Sequence, residues 1–255
     1  MTSSWALHGR SLMDFFRGDE GAEITIRSDL GKGEEETHPV AAWFREPDED
    51  AGYERKALEL ARGRILDVGA GTGVHALPLQ RRGLEVCAID FTPEAVEIMR
   101  ARGVRDARLA RLEEFRDGPF DTILVLANGA GLAETLDGLE GFLGRLGQLL
   151  APDGQVLLDS CDVRPPAGPD GVRPATGRDG RYVGDIHFQL EYRGEKGDLF
   201  PQLYVDPDTF ADRARRAGWS LEVVEPGEGG SYLARLTRAA GRASAEGPGA
   251  AGAVP

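Results

Sequence analysis

A glycine-rich turn directly after a short apolar run constrains this chain more than any other feature. Residues 64–68 (RILDV) are predicted to form a buried strand, because the run is short and apolar and glycines follow it. The turn contains Gly69, Gly71 and Gly73 and leads into a predicted helix. Since glycine has no Cβ, such a turn can be tight and can let a ligand lie against its backbone. The sequence therefore predicts a parallel α/β unit with a ligand site at the turn.

Strands and helices alternate around this turn between residues 51 and 160. Helices are predicted at 51–62, 73–82, 92–101 and 133–149. Strands besides the first are predicted at 84–90, 107–110, 120–127 and 155–160. This alternation predicts a mostly parallel sheet with helices on both faces, a three-layer α/β sandwich. In such sheets ligands bind at the carboxyl ends of the strands, where the strand order reverses.

Strands and helices do not alternate in the flanking segments. Residues 1–50 show weak periodicity, with a helix expected near Met13–Arg17 and an apolar-aromatic island at 38–45. A loop rich in Pro, Gly and Arg precedes a predicted antiparallel hairpin at 182–197. We therefore expect an N-terminal arm, a main domain with an insertion, and a disordered tail. Their expected bounds are 1–50 for the arm, 51–238 for the domain, 163–205 for the insertion and 239–255 for the tail.

The charge balance indicates what kind of partner the chain can have. The net charge is −13, from 43 acidic and 30 basic residues, and residues 1–50 hold twelve acids against five bases. Proteins that bind nucleic acid usually present a basic surface, so no nucleic-acid partner is expected. No apolar run is long enough to span a membrane and no signal segment is present, which predicts a cytoplasmic protein. Cys87 and Cys161 are expected to be free thiols, and their spacing predicts no metal site.

Two carboxylates flank the glycine turn. Asp67 lies just before the turn, and Asp90 ends the next predicted strand, where a carboxylate can accept hydrogen bonds from both ribose hydroxyls. The dinucleotide fingerprint G-x-G-x-x-G requires a glycine where Val74 stands. The charge of Asp67 would also oppose a diphosphate, whereas it would favour a ligand that carries an ammonium and a sulfonium group. S-Adenosylmethionine carries both.

The pattern D-x-G-x-G-x-G after the first strand, with an acid at the end of the second, resembles the class I S-adenosylmethionine-dependent methyltransferases. The resemblance covers roughly residues 55–160 and extends to 237 through two closing strands at 220–225 and 231–237. It implies a Rossmann-like, mostly parallel seven-stranded sheet whose last strand is antiparallel. The segments LANGAGLAETLDGLEGFL, QLEYRGEKG and SYLARL also resemble an uncharacterised bacterial group of these enzymes, which adds no acceptor.

The resemblance implies roles at the ends of the strands. The glycine turn and Asp67 approach the methionine part of the cofactor, Asp90 binds the ribose, and Phe91 lies beside the adenine. Arg111 stands where that family often has an acid. The implied cofactor-binding residues are Asp67, Gly69, Ala70, Gly71, Gly73, Asp90, Phe91, Arg111, Leu112, Leu126 and Asn128. Asn128 is placed either to line the cofactor or to orient an acceptor.

Candidate catalytic residues lie near the predicted rim of the site. We favour Asp159, at the end of the fifth strand, and His38, in the aromatic island. Other candidates are His75, Asp162, His187 and Tyr192. Trp43 and Phe44, together with the insertion, are placed to form a lid over the site or merely to dock the arm.

The leading functional prediction is methyl transfer from S-adenosylmethionine to a small-molecule acceptor. One alternative is an NAD(P)-dependent oxidoreductase, which the glycine spacing and Asp67 disfavour. The other is a non-catalytic S-adenosylmethionine-binding or interaction module, since binding and turnover use the same turn. The sequence alone does not predict the oligomeric state.

Overall fold

The computed structural model of the chain describes residues 2–30, 34–45, 52–168, 173–177 and 180–239. The tail predicted to be disordered lies outside the described residues, apart from its first position. Among the residues described, no helix is long and apolar enough to cross a membrane.

A seven-stranded sheet forms the centre of the molecule. Its strands in chain order are β3 (Arg64–Val68), β4 (Glu85–Asp90), β5 (Asp106–Leu109), β6 (Phe120–Val125), β7 (Leu150–Cys161), β11 (Trp219–Pro226) and β12 (Ser231–Arg238). The strand order is β11-β12-β7-β6-β3-β4-β5. The five strands from β3 to β7 are parallel, and β12 is antiparallel to both of its neighbours. The expected seven-stranded, mostly parallel sheet with an antiparallel last strand is confirmed.

Helices cover both faces of this sheet and make it the middle layer of three. They are α2 (Gly52–Leu60), α3 (Ala76–Arg81), α4 (Pro93–Ala101), α5 (Leu139–Leu149) and α6 (Pro207–Arg216). Alternate residues of each strand face opposite layers. Ile65 packs in the core under α2, α3 and α4, whereas Leu66 packs in the core under α5 and α6. The chain leaves β3 toward β4 on one side and later returns to β6 on the other, so a crevice opens at their carboxyl ends.

A second sheet, with one helix, stands over the carboxyl ends of the central strands. Its strands are β1 (Glu23–Ser28), β2 (Glu34–Pro39), β8 (Asp185–Tyr192), β9 (Glu195–Lys196) and β10 (Phe200–Leu203), and the helix is α1 (Ser4–Phe16). The order is β10-β8-β1-β2, with β9 paired to β8, and every pairing is antiparallel. The arm and the insertion thus build one unit, which we call the cap.

The cap has its own apolar core, which reaches the central domain. Leu7 and Leu12 of α1, Ile24 of β1 and Leu190 of β8 are buried together. Ile98 of α4 belongs to the same core, so the cap is packed on that helix. The side chains that form the core of the cap thus come from the arm, from the insertion and from the central domain.

Several element bounds differ from those predicted. The helix expected at 133–149 begins at Leu139, because a 3-10 turn at Gly129–Ala133 and the positive φ of Glu134 precede it. The arm, in which one short helix is expected near Met13–Arg17, contains the longer helix α1 and the β1–β2 hairpin. The hairpin predicted in the insertion is present as β8 and β9, and β10 adds a strand that the sequence pattern did not show.

Candidate active site

The glycine turn after β3 offers open backbone at its first two glycines. Gly69 has φ 68° and Gly71 has φ 54°, both in the left-handed region that side chains disfavour. A Cβ at Gly71 would meet no atom within 4 Å, whereas a Cβ at Gly73 would lie 2.8 Å from Val104. The first two glycines therefore leave room for a ligand, and Gly73 is required for packing.

Asp90 ties the turn to the end of β4. Its Oδ2 accepts a hydrogen bond from Gly71 N at 3.0 Å, and its Oδ1 accepts from Thr92 N at 2.8 Å and Thr92 Oγ1 at 2.7 Å. The side chain is 8% exposed and lines two adjoining cavities. A fixed carboxylate at this edge retains lone pairs that can accept hydrogen bonds from a ligand.

The first cavity, of about 310 Å³, lies beside the ends of β3, β4 and β5. It contains five of the predicted cofactor residues: Gly69, Asp90, Phe91, Arg111 and Leu112. The Arg111 guanidinium carbon lies 4.9 Å from the centroid of the Phe91 ring. Apolar surface beside a carboxylate is the arrangement that a nucleoside requires, because its base is flat and its ribose carries hydroxyl donors.

The second cavity, of about 270 Å³, lies between the glycine turn and the cap. Its walls are mainly aromatic and aliphatic side chains of the cap, namely Trp5, His8, Leu12, Ile24, Ile26, Trp43, Phe188, Leu190 and Tyr204. The central domain contributes Gly71, Asp90 and Asn128. Trp5, Gly69, Asp90, Phe91, Leu132 and Gln202 line both cavities, which are therefore neighbours.

Ring contacts connect the walls of the two cavities. The Trp5 ring meets Phe91 edge-on at a centroid distance of 5.5 Å and lies 4.9 Å from Phe200. His8 packs edge-on against Trp43 at 5.2 Å. Burial lowers the pKa of His8 to about 4, although the charge of Asp90 opposes this, so the imidazole is uncharged at neutral pH. The cap thus presents an aromatic, uncharged surface to the glycine turn.

A buried ionic cluster lies behind the turn, on the face of the sheet covered by α2 and α3. Asp67 is 1% exposed, and its Oδ2 has no hydrogen-bond partner. Burial raises the pKa of Asp67 to about 6, with His75 acting to lower it and Asp90 to raise it. His75 Nε2 lies 3.5 Å from Glu54 Oε2, and Arg45 makes two hydrogen bonds to the Glu54 carboxylate at 2.8 and 2.9 Å. Arg45 of the arm is thereby linked by charge, through Glu54 and His75, to Asp67 before the glycine turn.

Burial alone would raise the pKa of Glu54, but the neighbouring His75 and the two hydrogen bonds from Arg45 lower that pKa to about 2. Burial opposes ionisation of His75, whereas Glu54 and the charge of Asp67 raise the pKa of His75 above its usual value. The cluster therefore keeps Glu54 ionised and favours a charged His75 beside Asp67.

Asp159 is hydrogen-bonded to the backbone at the end of β6. Its two oxygens accept hydrogen bonds from Asn128 N at 2.9 Å and Gly129 N at 2.8 Å. Burial raises the pKa of Asp159 to about 6, against the lowering effect of these two N–H groups. The carboxylate thus holds the backbone at the end of β6.

The structure brings together most, but not all, of the predicted site residues. Gly69, Gly71, Asp90, Phe91, Arg111, Leu112 and Asn128 line the cavities. Asp67, Ala70, Gly73, Leu126 and Asp159 lie behind that surface, and His38 lies on β2, where its Nε2 is 3.2 Å from Glu36 Oε2. Asp159 and His38 stay predictions as catalytic residues, although neither lines a cavity. His187 and Tyr192 bond to Asp29 and Asp14 within the cap.

Sequence reasoning missed the cap residues of the site. Trp5, His8, Phe188, Gln202 and Tyr204 line the second cavity. Their aromatic character was visible in the sequence, but no local motif indicated that α1, β8 and β10 meet over the glycine turn.

The residues present fit S-adenosylmethionine. The unpartnered, buried Asp67 Oδ2 and the open face of Gly71 suit an ammonium group and a close-lying chain, and Asp90 suits a ribose. A β11-β12-β7-β6-β3-β4-β5 sheet with this turn at its switch point defines the class I S-adenosylmethionine-dependent methyltransferases. A family model described as "Methyltransferase domain" matches residues 44–225. The chain belongs to this methyltransferase family.

Individual relatives agree with this assignment. A SAM-dependent methyltransferase from Bacteroides fragilis, solved in complex with S-adenosyl-L-homocysteine, is 38% identical; the match covers 94% of this chain and 97% of that one, with a TM-score of 0.80. The CcbJ methyltransferase from Streptomyces caelestis, at 19% identity over 76% of this chain and 90% of that one, shares the fold with a TM-score of 0.56.

Among curated relatives, the ubiquinone biosynthesis O-methyltransferase of Xanthomonas euvesicatoria pv. vesicatoria is 30% identical over 68% of this chain and 69% of that protein. The chain spans about half the length of several other relatives of that name. This chain is an S-adenosylmethionine-dependent methyltransferase. The oxidoreductase alternative is therefore wrong, since family and cofactor differ, and so is the non-catalytic alternative.

Proposed function

We propose that the protein methylates an uncharged small molecule bound in the cavity between the glycine turn and the cap. The observation that carries this proposal is the composition of that cavity. Among the described residues that line it, none is a lysine or an arginine, and Asp90 at its edge is the only acid. Transfer of a charged group into such surroundings is costly without a partner, so this cavity favours a neutral acceptor.

The first cavity is the proposed adenosine site. Asp90 accepts hydrogen bonds from the ribose, while Phe91 and Leu112 supply apolar surface for the adenine. Gly69 and Gly71 let the methionine chain lie against the backbone, and Asp67 favours its ammonium group through charge. When bound, the cofactor supplies a methyl group that is activated by the positive charge on sulfur.

The uncharged state of His8 suits a cavity that lies beside a positively charged methyl donor. A protonated imidazole in the second cavity would repel a positively charged methyl donor, and burial prevents protonation at neutral pH by lowering the pKa of His8 to about 4. The cap therefore places neutral side chains where the methyl group is expected.

The chain promotes the reaction mainly by positioning and by excluding water. Alignment of two bound reactants can lower a barrier by about 7–11 kcal/mol. The cap residues Trp5 and Trp43 close the second cavity, and Thr72 Oγ1, within the glycine turn, donates a hydrogen bond to Trp43 O. We propose that the arm and the insertion act as this cover, which is the lid that the sequence offers as one of two roles, the other being mere docking of the arm.

The name of the Xanthomonas relative supports testing oxygen acceptors first. A neutral small molecule also agrees with the acidic charge balance of the chain, and no nucleic-acid partner is proposed. The cytoplasmic location stays a prediction.

The experiment is transfer of labelled methyl from S-adenosylmethionine to a bacterial metabolite extract separated by charge. We expect label in the neutral fraction of small molecules. Label confined to the anionic or cationic fractions would contradict a neutral acceptor, and label only in protein or nucleic acid would contradict a small-molecule acceptor. Gly71→Val enzyme serves as the background control.

A further inference from the structure

The backbone at the end of β6 adopts a conformation that is unusual for its residues. Ala127 has φ 65° and Asn128 has φ 59°, so two consecutive residues with side chains lie in the left-handed region. This conformation is unfavourable for alanine and better tolerated by asparagine. The Asp159 carboxylate offsets the strain, because it accepts hydrogen bonds from Asn128 N and Gly129 N. Strained backbone that the surrounding structure holds in place clusters at functional sites.

This conformation fixes the Asn128 side chain at the wall of the second cavity. Its Nδ2 donates a hydrogen bond to Gln202 Oε1 at 2.9 Å, and Gln202 belongs to β10 of the cap. Its Oδ1 is buried and has no hydrogen-bond partner. A buried acceptor without a donor destabilises the protein, so one that is also fixed in a ligand cavity indicates a missing donor.

Gly131 makes the close packing of this amide pair possible. A Cβ at Gly131 would lie 2.1 Å from Gln202 Oε1 and 2.8 Å from Asn128 Nδ2. The residue has no positive φ, so the space for the two amides accounts for a glycine here. The left-handed backbone at Ala127 and Asn128, the Asn128–Gln202 hydrogen bond and the space at Gly131 therefore act together. They fix the Asn128 amide and leave its Oδ1 without a partner.

We infer that Asn128 Oδ1 accepts a hydrogen bond from the group of the acceptor that receives the methyl, so that the acceptor is a neutral molecule with an O–H or N–H group. The inference rests on the proposed function, because it assigns the second cavity to the acceptor. Asp159 and Gln202 are positioning residues, since they act through Asn128. Asp159, favoured from the sequence as catalytic, thus has an indirect role.

The first test measures binding rather than turnover, so that it is independent of the acceptor's identity. Phenol and aniline carry a donor, whereas anisole and N,N-dimethylaniline are their methylated counterparts without one. Calorimetry of the four probes on enzyme loaded with S-adenosylhomocysteine should show the donor probes binding about three- to tenfold more tightly. Equal affinities of donor and methylated probes would overturn the inference.

The decisive variant is Asn128→Gly, because glycine adopts the same φ without strain and removes only the amide. We expect the preference for phenol over anisole to disappear, while the affinity for S-adenosylhomocysteine and the melting temperature remain close to those of the wild type. Loss of cofactor affinity with the preference retained would show that Asn128 Oδ1 serves the cofactor's ammonium group, and would overturn the inference.

Gly131→Ala tests the positioning role without removing either amide. We expect it to weaken the phenol preference, because the new methyl group separates Asn128 from Gln202. Gly141→Ala in α5 is the matched control, since a Cβ there meets no atom within 4 Å. An unchanged preference in Gly131→Ala would contradict the role of Gln202. If these binding results hold while no neutral molecule is methylated, the proposed function fails and the donor preference stands.

Discussion

The cofactor side and the cap side of the active site are built in opposite ways. On the cofactor side, the glycine turn, Asp67 and Asp90 come from two successive strands of one parallel sheet. On the cap side, Trp5 comes from the N-terminal arm, whereas Phe188 and Tyr204 come from the insertion. The arm and the insertion meet through the antiparallel pairing of β1 with β8. The first side is a local motif, and the second is a product of long-range folding.

In the function that we propose, this difference separates the two tasks of the enzyme. The cofactor is the same in every reaction of this class, so a local motif with fixed spacing is sufficient to bind it. The acceptor differs between enzymes, and the cap can vary without disturbing the sheet, because its core contacts the central domain through α4. We therefore expect substitutions on the cofactor side to alter cofactor affinity, and substitutions on the cap side to alter the kinetics with the acceptor.

The largest expected effect is that of Gly71→Val on the cofactor side. A valine side chain would occupy the open face of the turn and would have to adopt φ 54°, which costs at least about 1–2 kcal/mol. We predict that the affinity for S-adenosylhomocysteine, measured by calorimetry, falls at least about 100-fold.

The matched control for this change is Gly83→Val. Gly83 has φ 83°, a Cβ there would meet no atom within 4 Å, and its turn is remote from the cavities. The variant should lower the melting temperature without weakening cofactor binding. Equal loss of cofactor affinity in both variants would show that Gly71 has only a conformational role.

A smaller effect is expected from pH, again on the cofactor side. Burial raises the pKa of Asp67 to about 6, so the carboxylate is ionised at pH 7.5 and mostly protonated at pH 5. Since the ammonium group of the cofactor favours the ionised form, its affinity should fall about tenfold between these pH values.

Asp67→Asn sharpens this prediction, because it removes the titrating group and keeps its size. The variant should bind S-adenosylhomocysteine weakly at both pH values and show a flat profile. A pH dependence that persists in Asp67→Asn would assign the titration to another group, of which Asp159 is the first candidate because its pKa is also about 6.

The smallest effect is expected from Phe188→Ala on the cap side. Phe188 lines the second cavity and not the first, so the change should raise the acceptor KM about two- to tenfold, as expected for loss of one aromatic contact. Cofactor affinity should not change. Leu199→Ala, at a side chain that is 68% exposed, is the control and should leave both quantities unaltered.

The sequence was sufficient for the cofactor side because its signals are local. A buried strand, three glycines and two acids determine the position of the turn and of Asp90, and these residues lie where the pattern predicted. Leu126 is one of the implied cofactor-binding residues, but it is buried and lines neither cavity, because the chain turns at Ala127.

The cap could not be predicted in the same way. The pairing of β1 with β8 depends on contacts between distant residues, so the alternating pattern of each segment predicts a strand but not its partner. His38 shows what sequence distance alone does not predict. It lies close to Trp43 in the sequence, but His38 belongs to β2 and Trp43 to the 3-10 helix Val40–Phe44, and only Trp43 lines a cavity. The role of Asp159 was equally hidden, since only the folded chain shows both of its oxygens bonded to the Asn128–Gly129 backbone.

The most direct test of this division of tasks is a crystal structure of the enzyme with S-adenosylhomocysteine. We predict that the adenosine occupies the cavity of Asp90, Phe91 and Leu112 and that the sulfur faces the cavity of His8 and Tyr204. An adenosine between the cap and the glycine turn, with the sulfur directed away from the cap, would contradict the assignment of the two sides.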